Sequence, residues 1–247
     1  VSFVNDVLPV LTKSGCNIGV CHAKAGSGQR GFQLSLLGFE PLEDYDHLVK
    51  EARGRRLFAA SPERSLLLLK GTAQLPHGGG ARLERGSAGY RTLVEWIRQG
   101  APLDRPSDPK FENFRIEPAS GLLARGSQQS LKVIAKYSDG TERDVTSMAL
   151  YESNDSAMAE VNDQGLVRVL DLSGKVSVMV RYQGRVGGFN ASIPLGAPVE
   201  NVPASRNFID DHVFANLRQL GIPPSVVCDD ATFLRRVTLD IAGRLPT

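Results

Sequence analysis

Gly15-Cys16-Asn17-Ile18-Gly19-Val20-Cys21-His22 contains two of the three cysteines in this 247-residue chain, and a histidine directly follows the second cysteine. Two thiols and an adjacent imidazole are the groups that hold a covalent haem: the thiols form thioethers and the histidine binds the iron. The usual spacing is C-x-x-C-H, whereas here it is two residues longer. A glycine at position 19 favours the bulge that the extra residues require. The stretch therefore predicts one covalently attached haem c, with Cys16 and Cys21 as thioether donors and His22 as the proximal iron ligand.

A second histidine is the candidate distal ligand of that iron. His77 lies between Pro76 and three glycines, Gly78 to Gly80, which allow the backbone to approach a flat cofactor closely. The usual methionine ligand is missing from the first hundred residues, because all three methionines lie further along the chain (Met148, Met158 and Met179). His77 is therefore preferred to His47 and Lys70, and an open or water-bound sixth position is the remaining option.

Two alternatives use the same cysteines without haem. Cys16 and Cys21 are near neighbours and can form a disulfide that closes a small loop, in a structural or glycan-binding envelope protein. Cys16, Cys21, His22 and His77 together have the number of ligands that a closed tetrahedral zinc site requires. Adjacent residues such as Cys21 and His22 seldom both reach one metal ion, which makes the zinc site the weaker of the two.

The pattern of apolar residues divides the chain into three parts. Residues 1–105 carry helical stripes, including a predicted helix from Tyr45 to Phe58 and another from Ser87 to Gln99, and a glycine-rich loop is predicted after His22. A proline-rich linker, Pro102 to Pro109, leads into residues 106–200, where short β-branched runs separated by turn residues are typical of an immunoglobulin-like β-sandwich. Residues 201–247 contain two amphipathic helices, Asn207–Leu220 and Asp230–Ala242, which read as the start of a truncated further domain. The predicted fold is therefore an all-α domain, an all-β sandwich and a short helical segment.

Composition narrows the range of functions. A net charge of +2 argues against nucleic acid as a partner. No apolar run approaches the roughly 20 residues that span a bilayer, and the chain does not begin with a signal peptide. The cluster of Arg53, Arg55 and Arg56 is either a docking face for acidic groups or a solvated loop. No constellation of a hydrolase or a catalytic nucleophile is found, so the chain is predicted not to be an enzyme.

The sequence resembles a known family over its whole length. The first hundred residues resemble the planctomycete cytochrome c-like domain through Gly15-Cys16-Asn17, Cys21-His22 and Pro76-His77-Gly78-Gly79-Gly80, and also through Gly31-Phe32-Gln33-Leu34-Ser35-Leu36 and Trp96-Ile97-Arg98-Gln99-Gly100-Ala101. The middle resembles the bacterial Ig-like group 2 domain through Tyr137-Ser138-Asp139-Gly140-Thr141 and Val145-Thr146. The tail, from Phe233 to Thr247, resembles the start of the uncharacterised domain that follows in these multidomain proteins.

The resemblance implies a secreted c-type cytochrome of the cell envelope, since haem is attached outside the cytoplasm. Cys16, Cys21 and His22 would bind the haem, and the module would serve electron transfer or redox sensing. Its partners would be a redox protein of unknown identity and, through the Ig-like domain, a polysaccharide.

Overall fold

Short helices and ten strands build the chain in the computed structural model, which describes residues 1–24 and 31–246. The α-helices are α1 (Leu8–Lys13), α2 (Pro41–Tyr45), α3 (Leu66–Gly71), α4 (Ala88–Arg98), α5 (Phe208–Leu220) and α6 (Asp230–Ala242). The strands are β1 (Phe111–Glu117), β2 (Ser120–Leu122), β3 (Gln128–Ser130), β4 (Lys132–Tyr137), β5 (Glu142–Asp144), β6 (Leu150–Ser153), β7 (Ala159–Val161), β8 (Leu166–Val169), β9 (Gly174–Tyr182) and β10 (Arg185–Ile193). The loop predicted after His22 falls largely at positions 25–30, outside the described residues.

Residues 1–105, here called the N-terminal unit, enclose one apolar core. A π-helical turn (Phe3–Val7) leads into α1, and both pack against α4. Phe3 lies 5.5 Å from the ring of Trp96 and 5.3 Å from that of Tyr45, between centroids. The predicted helix at Ser87–Gln99 is confirmed as α4: the Ser87 hydroxyl accepts the N–H of Tyr90, and Gly100 follows with a positive φ of 86°.

Most other helices of the N-terminal unit are a single turn or two. The helix predicted from Tyr45 to Phe58 is wrong, because the chain passes from a π-helical turn (Asp46–Lys50) into a 3₁₀ turn (Glu51–Gly54). Within that second turn Ala52 and Arg53 have left-handed φ angles of 51° and 59°. Left-handed residues end an α-helix, and apolar periodicity does not reveal them.

Residues 111–193 form three sheets in the described chain, with strand orders β1-β4-β5, β2-β10-β9-β6 and β3-β8-β7. The long hairpin of β9 and β10 pairs antiparallel from Arg185–Tyr182 to Ile193–Gly174. Alternate residues of β9 point inward and pack against inward residues of β4 and β10. The period of two in this part of the sequence therefore corresponds to real strands.

The predicted fold class is wrong as a whole. The molecule is a mixed α and β structure with a core of three sheets and a few short helices, not an all-α cytochrome domain followed by a sandwich and a helical segment. Even the N-terminal unit contains a parallel β-bridge, between Ala23 and Leu34, beside its single turns of helix. Prolines near the starts of these turns and left-handed residues within or after them keep the helices too short for an all-α bundle.

Polar contacts, most of them partly buried, join the N-terminal unit to the sheets. The Asn5 side chain donates to the carbonyl of Pro109 at 2.7 Å and accepts from Gln183 at 3.2 Å. Lys13 reaches the carbonyls of Ala149 and Asp163 at 2.6 and 2.8 Å. The predicted linker after residue 101 is also tied down, since the Asp104 carboxylate accepts the backbone N–H groups of Phe3 and Val4.

Candidate functional site

A cleft of about 920 Å³ opens on one side of the N-terminal unit. Its size lies at the upper end of the range for small-molecule and cofactor sites. The cleft is lined by all four side chains that the sequence singles out as ligands: Cys16, Cys21, His22 and His77. Residues far apart in sequence thus share one concave surface.

The loop between the two cysteines is held in shape by its own backbone. Gly15 has a left-handed φ of 74°, which turns the chain at the end of α1. The Cys16 N–H then donates to the carbonyl of Leu11 at 2.9 Å, and the His22 N–H donates to the carbonyl of Cys16 at 3.0 Å. The left-handed turn lies at Gly15 rather than at Gly19, which does not have a positive φ. The longer spacing therefore still brings both thiols and His22 to the cleft.

The Nε2 nitrogen of His22 has a lone pair that it can donate to a metal ion. Its Nδ1 lies 3.2 Å from the carbonyl oxygen of Phe32. A carbonyl can only accept, so Nδ1 carries the proton and Nε2 is unprotonated in the neutral ring. Burial lowers the pKa of His22 below its ordinary value of 6.5, and the charges of His77 and Arg56 act in the same direction, although the bond to Phe32 opposes them. The neutral imidazole, which is the form that binds metals, is thus favoured.

His77 is arranged in the same way on the facing wall. Its Nδ1 lies 2.9 Å from the carbonyl of Gly80, which again leaves Nε2 as the lone-pair nitrogen. The rings of His22 and His77 are nearly parallel, at 14°, with 6.1 Å between centroids. Two metal–imidazole bonds of about 2 Å each place the ligating nitrogens about 4 Å apart. A centroid separation of 6.1 Å is compatible with that spacing.

The rest of the cleft combines apolar and cationic side chains. Leu11, Phe32, Leu66 and Leu67 form apolar wall, and Arg55, Arg56, Lys70 and Arg82 supply positive charge. Lys70 donates to the carbonyl of Pro76, and the Nε of Arg82 donates to the carbonyl of Gly79, so both support the loop that carries His77. A cleft with apolar walls and nearby cations suits a flat, largely apolar molecule that bears carboxylates.

Other sequence-based expectations fare less well. His47 does not line the cleft; its Nδ1 contacts the carbonyl of Gln33 instead. Of the apolar residues that follow the loop, Phe32 lines the cleft, whereas Leu36 and Phe39 are 44% and 60% exposed. The sequence does not distinguish Arg56, which is buried, from its exposed neighbours Arg53 and Arg55. Nor does it reveal Arg82, whose only sequence signal is its nearness to the glycines that follow His77.

The thiol of Cys16 is only partly accessible to water. Burial raises the pKa of Cys16 to about 11, and the neighbouring Cys21 contributes in the same direction, while the charge of Arg82 opposes both. The Cys16 thiol is therefore protonated at neutral pH and is a poor nucleophile in the folded protein.

We expect alkylation of Cys16 to be slow in the native protein and fast after unfolding. In a Cys21→Ser, Cys228→Ser variant, burial still acts on the single remaining thiol. With a pKa near 11, about 0.1% of Cys16 is thiolate at pH 8, against about a tenth or more in an unfolded chain. Iodoacetamide labelling followed by mass should therefore be about a hundredfold slower in buffer than in urea, and should accelerate as the pH rises towards 11. Equal rates in the two solvents would contradict the buried thiol.

A site for a bare metal ion is not supported. Across residues 1–24 and 31–246, no three or more His, Cys, Asp or Glu side chains are grouped so that they could hold an ion. The prediction of a metal-binding protein is wrong in this sense, and the zinc alternative loses its basis.

Comparison with known proteins finds a family model that matches only the end of the chain. Residues 208–247 match the PSCyt2 model, described as a protein of unknown function (DUF1549). Ice-binding protein 1 of Shewanella frigidimarina is 35% identical over 54 residues, which is 22% of this chain and 6% of that protein. The chain thus spans a small part of the curated relative that it matches.

The solved structures that resemble this chain include S-layer proteins, at low similarity. The crystal structure of SbsC residues 31–844 is 19% identical and covers 40% of this chain and 15% of that one, with a TM-score of 0.31. A structure of SbsC domains 5–6 is 17% identical and covers 38% of this chain and 49% of that one, with a TM-score of 0.32.

These matches correct the resemblance drawn from sequence. They indicate no cytochrome c domain, and the family model covers only residues 208–247, so the assignment to a planctomycete cytochrome c-like multidomain protein is wrong. The C-x₄-C-H stretch is not the established attachment signature, and six positions fix a local turn rather than a fold. The family match therefore gives no information about the function of the cleft.

Among the described residues, none of the helices has the length and the apolar composition that a membrane span requires.

Proposed function

We propose that the cleft of the N-terminal unit binds one haem, attached through Cys16 and Cys21, and that the protein serves electron transfer or redox sensing. The observation that carries the proposal is the pair of histidines. His22 and His77 face one cleft with nearly parallel rings, and each has Nδ1 bound to a backbone carbonyl and Nε2 left as a lone-pair donor. Backbone hydrogen bonds of this kind fix the tautomer and orientation of metal-binding histidines.

The other residues of the cleft fit the same group. A tetrapyrrole is flat and largely apolar, which suits a wall that includes Leu11, Phe32 and Leu66. Its propionates are anions, which suits the arginines and Lys70 of the cleft. Two thiols on one side of the cleft are the groups that thioether attachment requires. The donor set therefore matches haem better than it matches a bare ion, which lacks a third ligand.

Bound haem supplies one-electron redox chemistry of its iron. The chain itself would bind the group through two thiols, orient it between two imidazoles and surround it with apolar side chains that exclude water. His22 and His77 would both hold the iron, and an iron held by two imidazoles favours electron transfer over the activation of small molecules. Bis-histidine ligation is also expected to give a lower potential than histidine–methionine ligation.

The test is a visible spectrum and an intact mass after expression with a haem-attachment system. We expect a low-spin spectrum and a mass increase of one haem that survives denaturation. A Cys16→Ser, Cys21→Ser variant should lose the covalent haem, whereas Cys228→Ser, which changes the remaining cysteine, should retain it. Covalent haem in the double variant, or colourless protein from all three chains, would refute the proposal.

A structural envelope protein with a Cys16–Cys21 disulfide is the second candidate. Both thiols line the same cleft, and Cys21 contributes to the raised pKa of Cys16. The comparisons lean towards this candidate rather than towards haem, since the matched curated protein is an ice-binding protein. Colourless protein whose mass is two hydrogens short would support it.

Location and partners follow from the main proposal. Covalent attachment of haem takes place outside the cytoplasm, so we propose an extracytoplasmic protein of the periplasm or cell envelope. Its partner would be a second redox protein. Contact between the β-sheets and a polysaccharide stays a prediction.

A further inference from the structure

Arg56 is a buried cation in the lining of the cleft. Its side chain is 8% exposed, whereas Arg55, its neighbour in sequence, is exposed. A buried charge is costly unless it is paired and hydrogen-bonded, so its partners indicate what the residue is for.

The guanidinium of Arg56 donates hydrogen bonds to backbone carbonyls of three separate residues. Nη1 donates to the carbonyl of His47 at 2.7 Å and to that of Glu51 at 3.2 Å. Nη2 donates to the Glu51 carboxylate at 2.8 Å and to the carbonyl of Gly31 at 3.3 Å. The planar fork of arginine can make these bonds together, whereas the single ammonium of lysine cannot reach the same set.

The same guanidinium lies over the ring of Phe32, 4.5 Å from its centroid. Phe32 in turn contacts His22 twice. Its ring centroid is 4.7 Å from that of His22, and its carbonyl oxygen is the partner of His22 Nδ1. Arg56 therefore contacts the Phe32 segment in two ways. Its guanidinium lies over the ring of Phe32, and it also donates to the carbonyl of the preceding residue, Gly31.

We propose that Arg56 is a positioning residue for His22, acting through Phe32. The column Arg56–Phe32–His22 fixes the ring plane and the tautomer of His22, so that Nε2 is the nitrogen offered to the cleft. The inference deepens the proposed function, on which it rests for its purpose. The contacts themselves exist within the chain, so they can be tested without cofactor.

The first test is nitrogen NMR of the imidazoles in cofactor-free protein, which has only four histidines. In the unmodified chain and in the control Arg53→Lys, which changes an exposed residue outside the lining of the cleft, we expect His22 as a single tautomer with a slowly exchanging Nδ1–H. In Arg56→Lys, exchange of that proton should be about tenfold faster, which corresponds to the loss of one net hydrogen bond, and the second tautomer should become visible. His212, which lies on α5 and does not line the cleft, serves as the internal reference.

Phe32→Leu keeps the proposal testable if Arg56→Lys does not fold. This variant retains the Phe32 backbone carbonyl and the hydrogen bonds of Arg56 but removes the ring between them, and it should loosen His22 in the same way. Unchanged tautomer and exchange of His22 in whichever variant folds would overturn the proposal. With haem supplied, the midpoint potential of Arg56→Lys should shift while that of Arg53→Lys stays close to the original. A loosened His22 in protein that takes up no haem would uphold the positioning role and refute only the haem proposal.

Discussion

Replacing His77 by alanine is expected to convert a low-spin iron into a high-spin one while the covalent haem is retained. His77 is the second histidine of the cleft, and its ring lies 6.1 Å from that of His22. The other candidate side chains are committed elsewhere: Lys70 donates to the carbonyl of Pro76, and His47 lies outside the cleft. Visible and electron paramagnetic resonance spectra of both oxidation states would measure the change. A low-spin spectrum that survives in both states would assign the sixth position to another residue.

The matched control for this change is another histidine. His212→Ala alters α5, which contributes nothing to the lining of the cleft, and should leave the spectrum as it was. A subtler pair of variants tests the position of the ring rather than its presence. A methyl group at Gly79 would come within 3.1 Å of Cε1 of His77 and 3.5 Å of Nε of Arg82, whereas one at Gly78 would meet nothing within 4 Å. Gly79→Ala should therefore weaken the sixth ligand, and Gly78→Ala should not.

The elements that the sequence predicts well are those with local signals. Helix α4 has a serine cap and a glycine end, α5 and α6 begin after the capping residues Asn207 and Asp229, and the longer strands alternate inward and outward residues. Short strands lack that signal: all three residues of β5 are exposed, so no alternation marks it. Left-handed residues such as Ala52 likewise break a helix that periodicity alone extends.

The residues of the candidate site differ in the same way: some have a local signal in the sequence and others do not. Cys16, Cys21 and His22 lie close together in sequence, and their chemistry can be recognised from the motif. The contribution of Arg56 depends on burial, which arises only when residues 31, 47 and 51 meet around it. Family resemblance misled the fold prediction for a related reason, because a short motif constrains its own turn and says little about the remaining residues of the N-terminal unit.

Contacts between distant parts of the chain are the hardest to foresee, and Lys13 is the clearest case. The segment that joins the N-terminal unit to the sheets looks like a flexible linker in sequence. In the structure Lys13, at the end of α1, instead reaches across to the sheets and donates to the buried Ala149 carbonyl and to that of Asp163. Its side chain is only 15% exposed, and its ammonium lies 5.3 Å from the ring of Tyr151. These bonds link the N-terminal unit to the sheets.

Lys13→Met is therefore expected to lower the free energy of unfolding by about 2 kcal/mol, because the apolar stem is kept while a buried carbonyl loses its donor. Urea unfolding followed by the fluorescence of Trp96, the single tryptophan, reports on the N-terminal unit directly. Lys24→Met is the matched control, since Lys24 pairs with Glu43 on the exposed surface, where ion pairs contribute little, and no measurable change is expected. Asp163→Asn separates charge from hydrogen bonding: the Asp163 carboxylate is 88% exposed and its backbone carbonyl survives the change, so the effect should be much smaller than that of Lys13→Met. Equal losses from Lys13→Met and Asp163→Asn would assign the stabilisation to the ion pair, and no loss from either would mean that the two parts unfold independently.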